Sequence, residues 1–162
     1  MDKINLLIVD DEEAFLESTR KRLELRGFNV IAVNRGDKAI EAARKSPVDI
    51  ALVDLKMPGM SGEETLAVLK KEHQWMEVVI LTGHGSVDSA VECTKAGAYS
   101  YLQKPCELDK LLDVLIEAYK KRLMNKTRMK AAGIEEILKT AGASSPLAIL
   151  RKLKELDAAK GA

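Results

Sequence analysis

Short runs of apolar residues alternate with longer segments of mixed polarity through residues 1–105. Five of these runs have the length of a strand, and they are Ile4–Val9, Phe28–Val33, Val48–Val53, Val78–Leu81 and Tyr99–Leu102. Three runs are almost continuously hydrophobic, which is typical of strands that are covered on both faces. The pattern therefore predicts a buried parallel sheet.

Helical spacing appears in each interval between the predicted strands. The first helix has an apolar face formed by Phe15, Leu16, Thr19 and Leu23. Gly27 is placed to end this helix. The fifth helix has the strongest amphipathic pattern, with apolar positions at Leu108, Leu111, Leu112, Leu115, Ile116 and Tyr119.

Polar residues mark where the middle helices begin. Asn34 is predicted to cap the second helix, and Ser61 and Glu64 have the spacing of a capping box for the third. Ser86 is predicted to open the fourth helix, which should end near Gly97. Five strands in strict alternation with five helices predict an α/β protein with helices on both faces of a parallel sheet. A doubly wound domain with another strand order is the structural alternative.

Composition agrees with one globular domain that carries an appendage. The chain has 162 residues, of which 46% are hydrophobic and 31% are charged, as in ordinary soluble proteins. Two cysteines are too few for a disulfide framework. No apolar run reaches the roughly 18 residues of a membrane span, and the N-terminus lacks the features of a signal peptide. We therefore expect a cytoplasmic protein.

Charge is distributed unevenly along the chain. Residues 1–120 carry 16 lysines and arginines against 21 acidic residues, whereas residues 121–162 carry 10 against 4. The split indicates two regions with different roles. It also argues against the whole chain being a nucleic-acid-binding protein.

Charged and hydroxyl side chains follow the predicted strands. The first strand ends at Asp10 and Asp11, the third at Asp54, the fourth at Thr82, and the fifth continues into Lys104. A lone aspartate after a strand is usually a turn or capping residue. The carboxyl ends of parallel strands, however, share one edge, where ligands bind in α/β sheets. We therefore expect these five side chains to converge on a site.

The residue types at this edge indicate a particular chemistry. Crowded carboxylates suit a divalent cation, because Mg²⁺ prefers carboxylate, carbonyl, water and phosphate oxygens. A carboxylate is also a nucleophile toward phosphorus, and the product is an aspartyl phosphate. A metal, a lysine and a hydroxyl group would stabilise the charge on the transferred phosphoryl oxygens.

Four stretches resemble the receiver (CheY-like) domain of bacterial two-component response regulators. They are Leu6–Glu12, Leu52–Gly62, Ile80–Gly85 and Gly97–Pro105, in the family's order and spacing. The resemblance covers about residues 3–122. It implies a flavodoxin-like doubly wound (βα)5 sandwich with strand order 2-1-3-4-5.

The resemblance also implies a metal site and a phosphoryl donor. Asp54 matches the phosphoacceptor, Asp11 a direct Mg²⁺ ligand, and Asp10 the acid that holds the metal, often through water. Asp54 and the backbone carbonyl of Lys56 are expected to complete the protein ligands, and the Lys56 side chain lies at a position that tunes phosphorylation rates. The donor is expected to be the phosphohistidine of a sensor histidine kinase or of a phosphotransfer protein.

Further matches imply a switch. Thr82 matches the switch hydroxyl, and Tyr101 matches the aromatic residue that turns inward on activation. Lys104 matches the lysine that pairs with phosphate, and its bond to Pro105 is expected to be cis. His84 lies at a second rate-tuning position. Phosphorylation is expected to shift the fourth helix, fifth strand and fifth helix, and so to control a downstream protein target or homodimerisation.

The chain divides by resemblance into a receiver at residues 1–122 and a basic helical extension at residues 123–162, with no recognised output domain. The extension has one helical face formed by Ile134, Ile137, Leu138 and Ala141, followed by Gly142 as a break. Ser144 or Ser145, with Pro146, is placed to open a last helix. Its apolar stripe is Ile149, Leu153 and Leu156, and its expected exposed cations are Arg151, Lys152 and Lys154.

Three interpretations of the extension are open. In the first, it continues the fifth helix and adds a helix that is folded onto the domain or partly disordered. In the second, it forms a dimerisation or partner-docking element, and in the third its basic stripe contacts nucleic acid or an anionic membrane.

Three alternatives to a phosphoacceptor signalling protein are open as well. A phosphohydrolase would carry two acids on one strand end and a cap, and a flavin-binding electron carrier would need a Ser/Thr/Gly-rich phosphate loop after the first strand. Asp10–Glu13 occupy that loop instead. A receiver used only for docking, without phosphorylation, is the third. The expected function is therefore signalling rather than enzymatic, limited to the chain's own phosphotransfer and slow autodephosphorylation.

Overall fold

A computed structural model describes residues 3–160 of the chain. The strands are β1 (Asn5–Val9), β2 (Asn29–Val33), β3 (Ile50–Val53), β4 (Glu77–Thr82) and β5 (Ser100–Gln103). The helices are α1 (Glu13–Leu25), α2 (Gly36–Lys45), α3 (Gly62–Glu72), α4 (Val87–Lys95), α5 (Leu108–Thr127), α6 (Ala131–Thr140) and α7 (Pro146–Lys160).

The five strands form one parallel sheet in the order β2-β1-β3-β4-β5. This result confirms the predicted fold and strand order. The strand order reverses direction between β1 and β3, so the crevice at the carboxyl edge of the sheet opens beside the ends of these two strands.

Alternate residues of each strand face opposite layers of helices. Leu6 and Ile8 of β1 join one buried cluster with apolar residues of α1 and α5. Leu7 and Val9 join a second cluster with residues of α2, α3 and α4. The sheet is therefore covered on both faces, which explains why its central strands are continuously hydrophobic.

Most helix boundaries follow the predicted signals. Ser61 and Glu64 form the expected capping box of α3, and Ser86 caps α4. Gly27 and Gly97 follow α1 and α4 with positive φ angles of 93° and 104°, a conformation in which glycine avoids the strain of a Cβ.

The prediction that Asn34 caps α2 is wrong. The helix begins at Gly36, and Arg35 occupies the cap position without a capping side-chain bond. Asn34 lies one residue too early, and its side-chain amide instead donates to Glu13 over 2.9 Å. The side chain that local sequence would assign to the start of α2 thus bonds instead to the first residue of α1.

The C-terminal helices pack onto the helix layer that contains α5. α5 continues without interruption to Thr127, so the junction between residues 122 and 123 lies inside it. Buried apolar residues of α6 and α7 join the same cluster as α1 and α5, and they are Ile134, Leu138, Leu150 and Leu153. Gly142 follows α6 with a φ of 68°, and Ser145 caps α7 by accepting from the amide of Ala148.

Ion pairs reinforce this packing at the amino ends of the strands. Asp49, just before β3, accepts from Lys154 of α7 over 2.8 Å and lies 3.2 Å from Arg122 of α5. Asp157 of α7 accepts from Arg122 over 3.1 Å and from Lys126 over 2.9 Å. We refer to these five residues as the amino-edge network. The expectation that Lys154 is solvated is therefore wrong, because it is held against a buried carboxylate.

The amino-edge network engages three of the ten basic residues in the segment 121–162. Arg122, Lys126 and Lys154 neutralise two buried carboxylates, those of Asp49 beside the sheet and of Asp157 in α7. The interpretation in which the extension folds back onto the domain is the one observed. Across residues 3–160, no helix combines the length and apolar character that a membrane crossing requires.

Candidate functional site

Backbone hydrogen bonds hold the predicted site residues just beyond the ends of the strands. Asp54 donates its amide to Val9 over 3.0 Å, and Asp10 donates its amide to Val33 over 3.2 Å. The amide of Lys104 donates to the carbonyl of Thr82 over 2.9 Å. These bonds extend the parallel ladder by one residue, so the first residue after each strand has a fixed position at the carboxyl edge.

Three carboxylates converge at this edge. Asp10, Glu12 and Asp54 each place one carboxylate oxygen within 4.8 Å of the others. Asp10 and Asp54 are each 2% exposed, whereas Glu12 is exposed. Asp11, which was expected to join them, is exposed and lies outside this group. The structure thus brings together two of the predicted acids and adds Glu12.

The ammonium group of Lys104 lies among these carboxylates. It donates to Asp10 over 2.6 Å and to Glu12 over 3.0 Å. Its nitrogen also lies 4.0 Å from the centre of the Phe15 ring, a favourable position for a cation. The bond between Lys104 and Pro105 is cis.

Burial and charge shift the ionisation of this pair. Burial raises the pKa of Asp10, and the nearby charge of Asp54 adds to the increase, while bonds from Lys104 and the Glu12 amide oppose it. Burial alone would lower the pKa of Lys104, but its bonds to Asp10 and Glu12 outweigh burial, so this pKa is raised. The lysine is therefore firmly protonated and neutralises part of the acidic cluster.

Thr82 and Tyr101 connect the site to the start of α4. Thr82 is fully buried, and its hydroxyl oxygen accepts from the amide of His84 over 3.1 Å. The Tyr101 hydroxyl oxygen accepts from the amide of Ser86 over 3.2 Å and lies 2.6 Å from the hydroxyl of Ser89. The loop after β4 is thus bonded to a residue of the site at one end and to β5 at the other.

Helix α3 begins directly against the backbone of Asp54. A Cβ added to Gly62 would lie 2.2 Å from the Asp54 carbonyl oxygen and 2.6 Å from the Leu55 Cα. The Gly62 amide donates to the Leu55 carbonyl over 2.7 Å. This close approach fixes the loop that carries Asp54, while the Lys56 and His84 side chains stay exposed at the rim.

Sequence reasoning missed two residues of this environment. Glu12 follows the two aspartates directly, so its place after β1 was a usable signal, but only the structure shows that it contacts Lys104. Phe15 was assigned to the apolar face of α1. Its contact with a charged group is invisible to helical spacing, because that spacing identifies a face and not the partner on it.

Comparisons with known proteins agree with this architecture. The family model described as the response regulator receiver domain matches residues 6–116. A putative NtrX-like response regulator of Rickettsia felis is 33% identical over 137 residues, which cover 83% of this chain and 28% of that protein. The alginate biosynthesis transcriptional regulatory protein AlgB of Pseudomonas syringae pv. tomato is 39% identical over 106 residues, or 65% of this chain and 24% of that protein. The chain thus spans about a quarter of the length of these relatives.

Solved structures show the same fold. A CheY-like receiver domain protein from Methanospirillum hungatei has a TM-score of 0.72 and 30% identity, covering 75% of this chain and 97% of its own. A receiver domain protein from Clostridium thermocellum has a TM-score of 0.70 and 32% identity, covering 75% and 98%. The order of the strands and the acids at the carboxyl edge are consistent with these similarities. The chain therefore belongs to the family of response regulator receiver domains.

Proposed function

We propose that the chain accepts a phosphoryl group on Asp54 from the phosphohistidine of a sensor histidine kinase or a phosphotransfer protein. The observation that carries this proposal is the buried Asp54 carboxylate, which lies beside Asp10 at the carboxyl edge with Lys104 bonded to the same cluster. Membership of the receiver family supports it. We assign the exchange to the bacterial cytoplasm on the same resemblance.

The donor set at this edge fits Mg²⁺. All the acidic donors offer hard oxygen atoms, and the raised pKa of Asp10, caused chiefly by burial, signals a carboxylate that would gain from a cation. The residues proposed to hold the metal are Asp10, Asp11, Asp54 and the backbone carbonyl of Lys56. Mg²⁺ would supply positive charge against the oxygens of the transferred group.

Asp54 would act as the nucleophile. One of its carboxylate oxygens attacks phosphorus, a P–O bond forms, and the P–N bond of the phosphohistidine breaks. The bonding electrons leave with the histidine nitrogen. Because an ionised carboxylate has no proton to lose, this step needs no general base. Apart from this transfer and slow autodephosphorylation, which Lys56 and His84 are proposed to tune, we assign the chain no enzymatic activity.

Phosphorylation would then act on the face formed by α4, β5 and α5. The aspartyl phosphate adds negative charge and strong acceptor oxygens. Thr82 and Lys104 would gain bonds to it only in that state, and Tyr101 would follow the displaced loop. Exposed apolar side chains lie on α4, where Val87 is 80% and Val91 is 45% exposed. We propose this face as the contact for a downstream protein or a second copy of the chain.

Ion pairs withdraw part of the basic extension from contact with DNA or a membrane. Arg122, Lys126 and Lys154 form ion pairs with Asp49 and Asp157. Lys152 pairs with Glu155. We therefore propose that residues 123–162 serve as a packed extension of the receiver at residues 1–122.

The test is intact-mass spectrometry of the chain and of Asp54→Asn after incubation with Mg²⁺ and acetyl phosphate, with size analysis of the same samples. We expect one added phosphoryl group in the wild type and none in the variant. Labelling of both proteins would refute the assignment of Asp54. No labelling of either would favour a receiver that docks without phosphorylation. A phosphorylation-dependent increase in size would identify a homodimer as the output.

A further inference from the structure

We propose that Glu12 is a positioning residue, which holds Lys104 away from Asp54 in the unphosphorylated chain and thereby slows phosphoryl acceptance. This inference rests on the proposed function of Asp54. It assigns a rate-setting role to a residue outside the predicted site, through one specific ion pair.

The contacts of Lys104 define its resting position. Among the hydrogen bonds of residues 3–160, the two that its ammonium group donates go to Asp10 and to Glu12. Phe15 lies against the same nitrogen at 4.0 Å. Asp54 accepts instead from the amide of Leu55, over 2.9 Å. The lysine is therefore engaged on the β1 side of the cluster before any phosphoryl group arrives.

The Glu12 side chain can be substituted without disturbing the other interactions of the site. Asp10 is buried and belongs to the proposed metal ligands, so changing it would disturb several interactions at once. The Glu12 side chain is 60% exposed and pairs with Lys104. Its contribution to the Asp10 carboxylate comes from its backbone amide, over 2.9 Å, which a substitution of the side chain leaves in place.

The effect on rate follows from when the ion pair exists. An interaction that is present in the ground state and lost in the transition state raises the barrier. Lys104 must turn from Glu12 toward the transferred phosphoryl group to stabilise its charge. Partly exposed pairs typically contribute about 0.2–1 kcal/mol. Removing the Glu12 charge should therefore accelerate phosphorylation by about 1.4- to 5-fold.

The experiment compares Glu12→Gln with Glu13→Gln. Both substitutions remove one negative charge from exposed, adjacent residues, but Glu13 bonds to Asn34 and not to Lys104. Phosphorylation rates are measured at saturating Mg²⁺ over a range of acetyl phosphate concentrations, together with Mg²⁺ affinity. A second readout is the ¹⁵N chemical shift of the Lys104 ammonium group at pH 7, which reports the contact with Glu12 without phosphorylation.

We expect Glu12→Gln to raise the maximal rate by about 1.4- to 5-fold with little change in half-saturation, and to shift the resonance of the Lys104 ammonium group. Glu13→Gln should do neither. Equal rates in the two variants, or an unchanged Lys104 ammonium resonance, would overturn the inference while leaving Asp54 as the acceptor. Slower labelling with weaker Mg²⁺ binding would also overturn it and identify Glu12 as a metal contact. Failure of the wild type itself to take a phosphoryl group would reject the proposed function.

Discussion

The ammonium group of Lys154 donates to the carboxylate of Asp49 over 2.8 Å, although the two residues are 105 positions apart in the sequence. Asp49 also accepts from the amide of Asn5, the first residue of β1, over 2.8 Å. One carboxylate therefore joins α7 to the amino edge of the sheet. The stability of the receiver and the position of its C-terminal helix are coupled through this contact.

Substitution of Asp157 should release α7 from the same edge. Asp157 is buried, and it accepts from Tyr119 and Arg122 as well as Lys126. Asp157→Asn leaves the partly buried Lys126 without its counter-charge and Arg122 with Asp49 alone, so we expect a loss of about 2–4 kcal/mol in the free energy of unfolding. Urea denaturation at pH 7 measures this loss. Glu155→Gln, on the exposed side of α7, should cost less than about 1 kcal/mol.

The cost of Asp157→Asn should depend on pH. Burial acts to raise the pKa of Asp157, but the hydrogen bonds from Tyr119 and Lys126 and the charge of Arg122 outweigh it, so the pKa is lowered in the folded state. A depressed carboxylate pKa contributes stability above the unfolded value of about 3.9, and this contribution is lost as pH falls through the folded value. The difference between wild type and variant should hold from pH 7 to about pH 5 and shrink below about pH 4. A difference that stays constant in acid would contradict the assigned contacts.

Truncation of a buried α7 side chain tests whether the extension is part of the core. Leu153 is fully buried in the cluster that contains α1 and α5, whereas Leu147 is 37% exposed at the start of the same helix. We expect Leu153→Ala to lower the free energy of unfolding by about 2–4 kcal/mol and Leu147→Ala to lower it less. A single cooperative transition should persist in both variants. Equal, small losses would mean that α7 is not packed in solution.

Removal of the Tyr101 hydroxyl should loosen the start of α4. In Tyr101→Phe the Ser86 amide and the Ser89 hydroxyl lose a partner. A net hydrogen bond contributes about 0.5–1.5 kcal/mol, so hydrogen exchange in the first turn of α4 should accelerate by about two- to tenfold. Tyr99→Phe, just before β5, is the matched control. Unchanged protection at Ser86–Ser89 would show that the hydroxyl does not restrain this helix.

Mg²⁺ should stabilise the chain through the acids of the carboxyl edge. A ligand that binds only the folded state at 100 times its Kd adds about 2.7 kcal/mol. We expect a higher unfolding temperature in Mg²⁺ than in EDTA, and a smaller difference in Asp54→Asn. Asp88→Asn, an exposed acid on α4, should keep the full difference. An equal shift in all three proteins would point to a nonspecific ion effect.

Local patterns were sufficient for most of the fold. Some features depend only on residues that are close in sequence, and they are the hydrophobic strands, the Ser61 and Ser86 caps and the glycines after α1 and α4. A short stretch of sequence is therefore enough to predict each of them. Parallel strand pairing then brings Asp10, Asp54, Thr82 and Lys104 to one edge without further information, since the carboxyl ends coincide.

The remaining features depend on partners that are distant in sequence. Lys154 has the pattern of a solvated helix position. Only its contact with Asp49, which precedes β3, makes it a partly buried counter-ion. Asn34 was assigned to the helix beside it but bonds to Glu13 of α1. Glu12 and Asp11 are adjacent acids, and their separate positions follow from the direction of the loop after β1. No periodicity in the sequence encodes that direction.

The close approach of Gly62 to the Asp54 backbone determines which mutations of the Gly62 codon the protein can tolerate. Every single-base change in a glycine codon that alters the amino acid introduces a side chain with a Cβ, and here that atom would meet the Asp54 carbonyl. Each of these mutations would therefore displace the loop that carries the acceptor. In a mutational scan, position 62 should be as intolerant as position 54, although it contributes no reactive group.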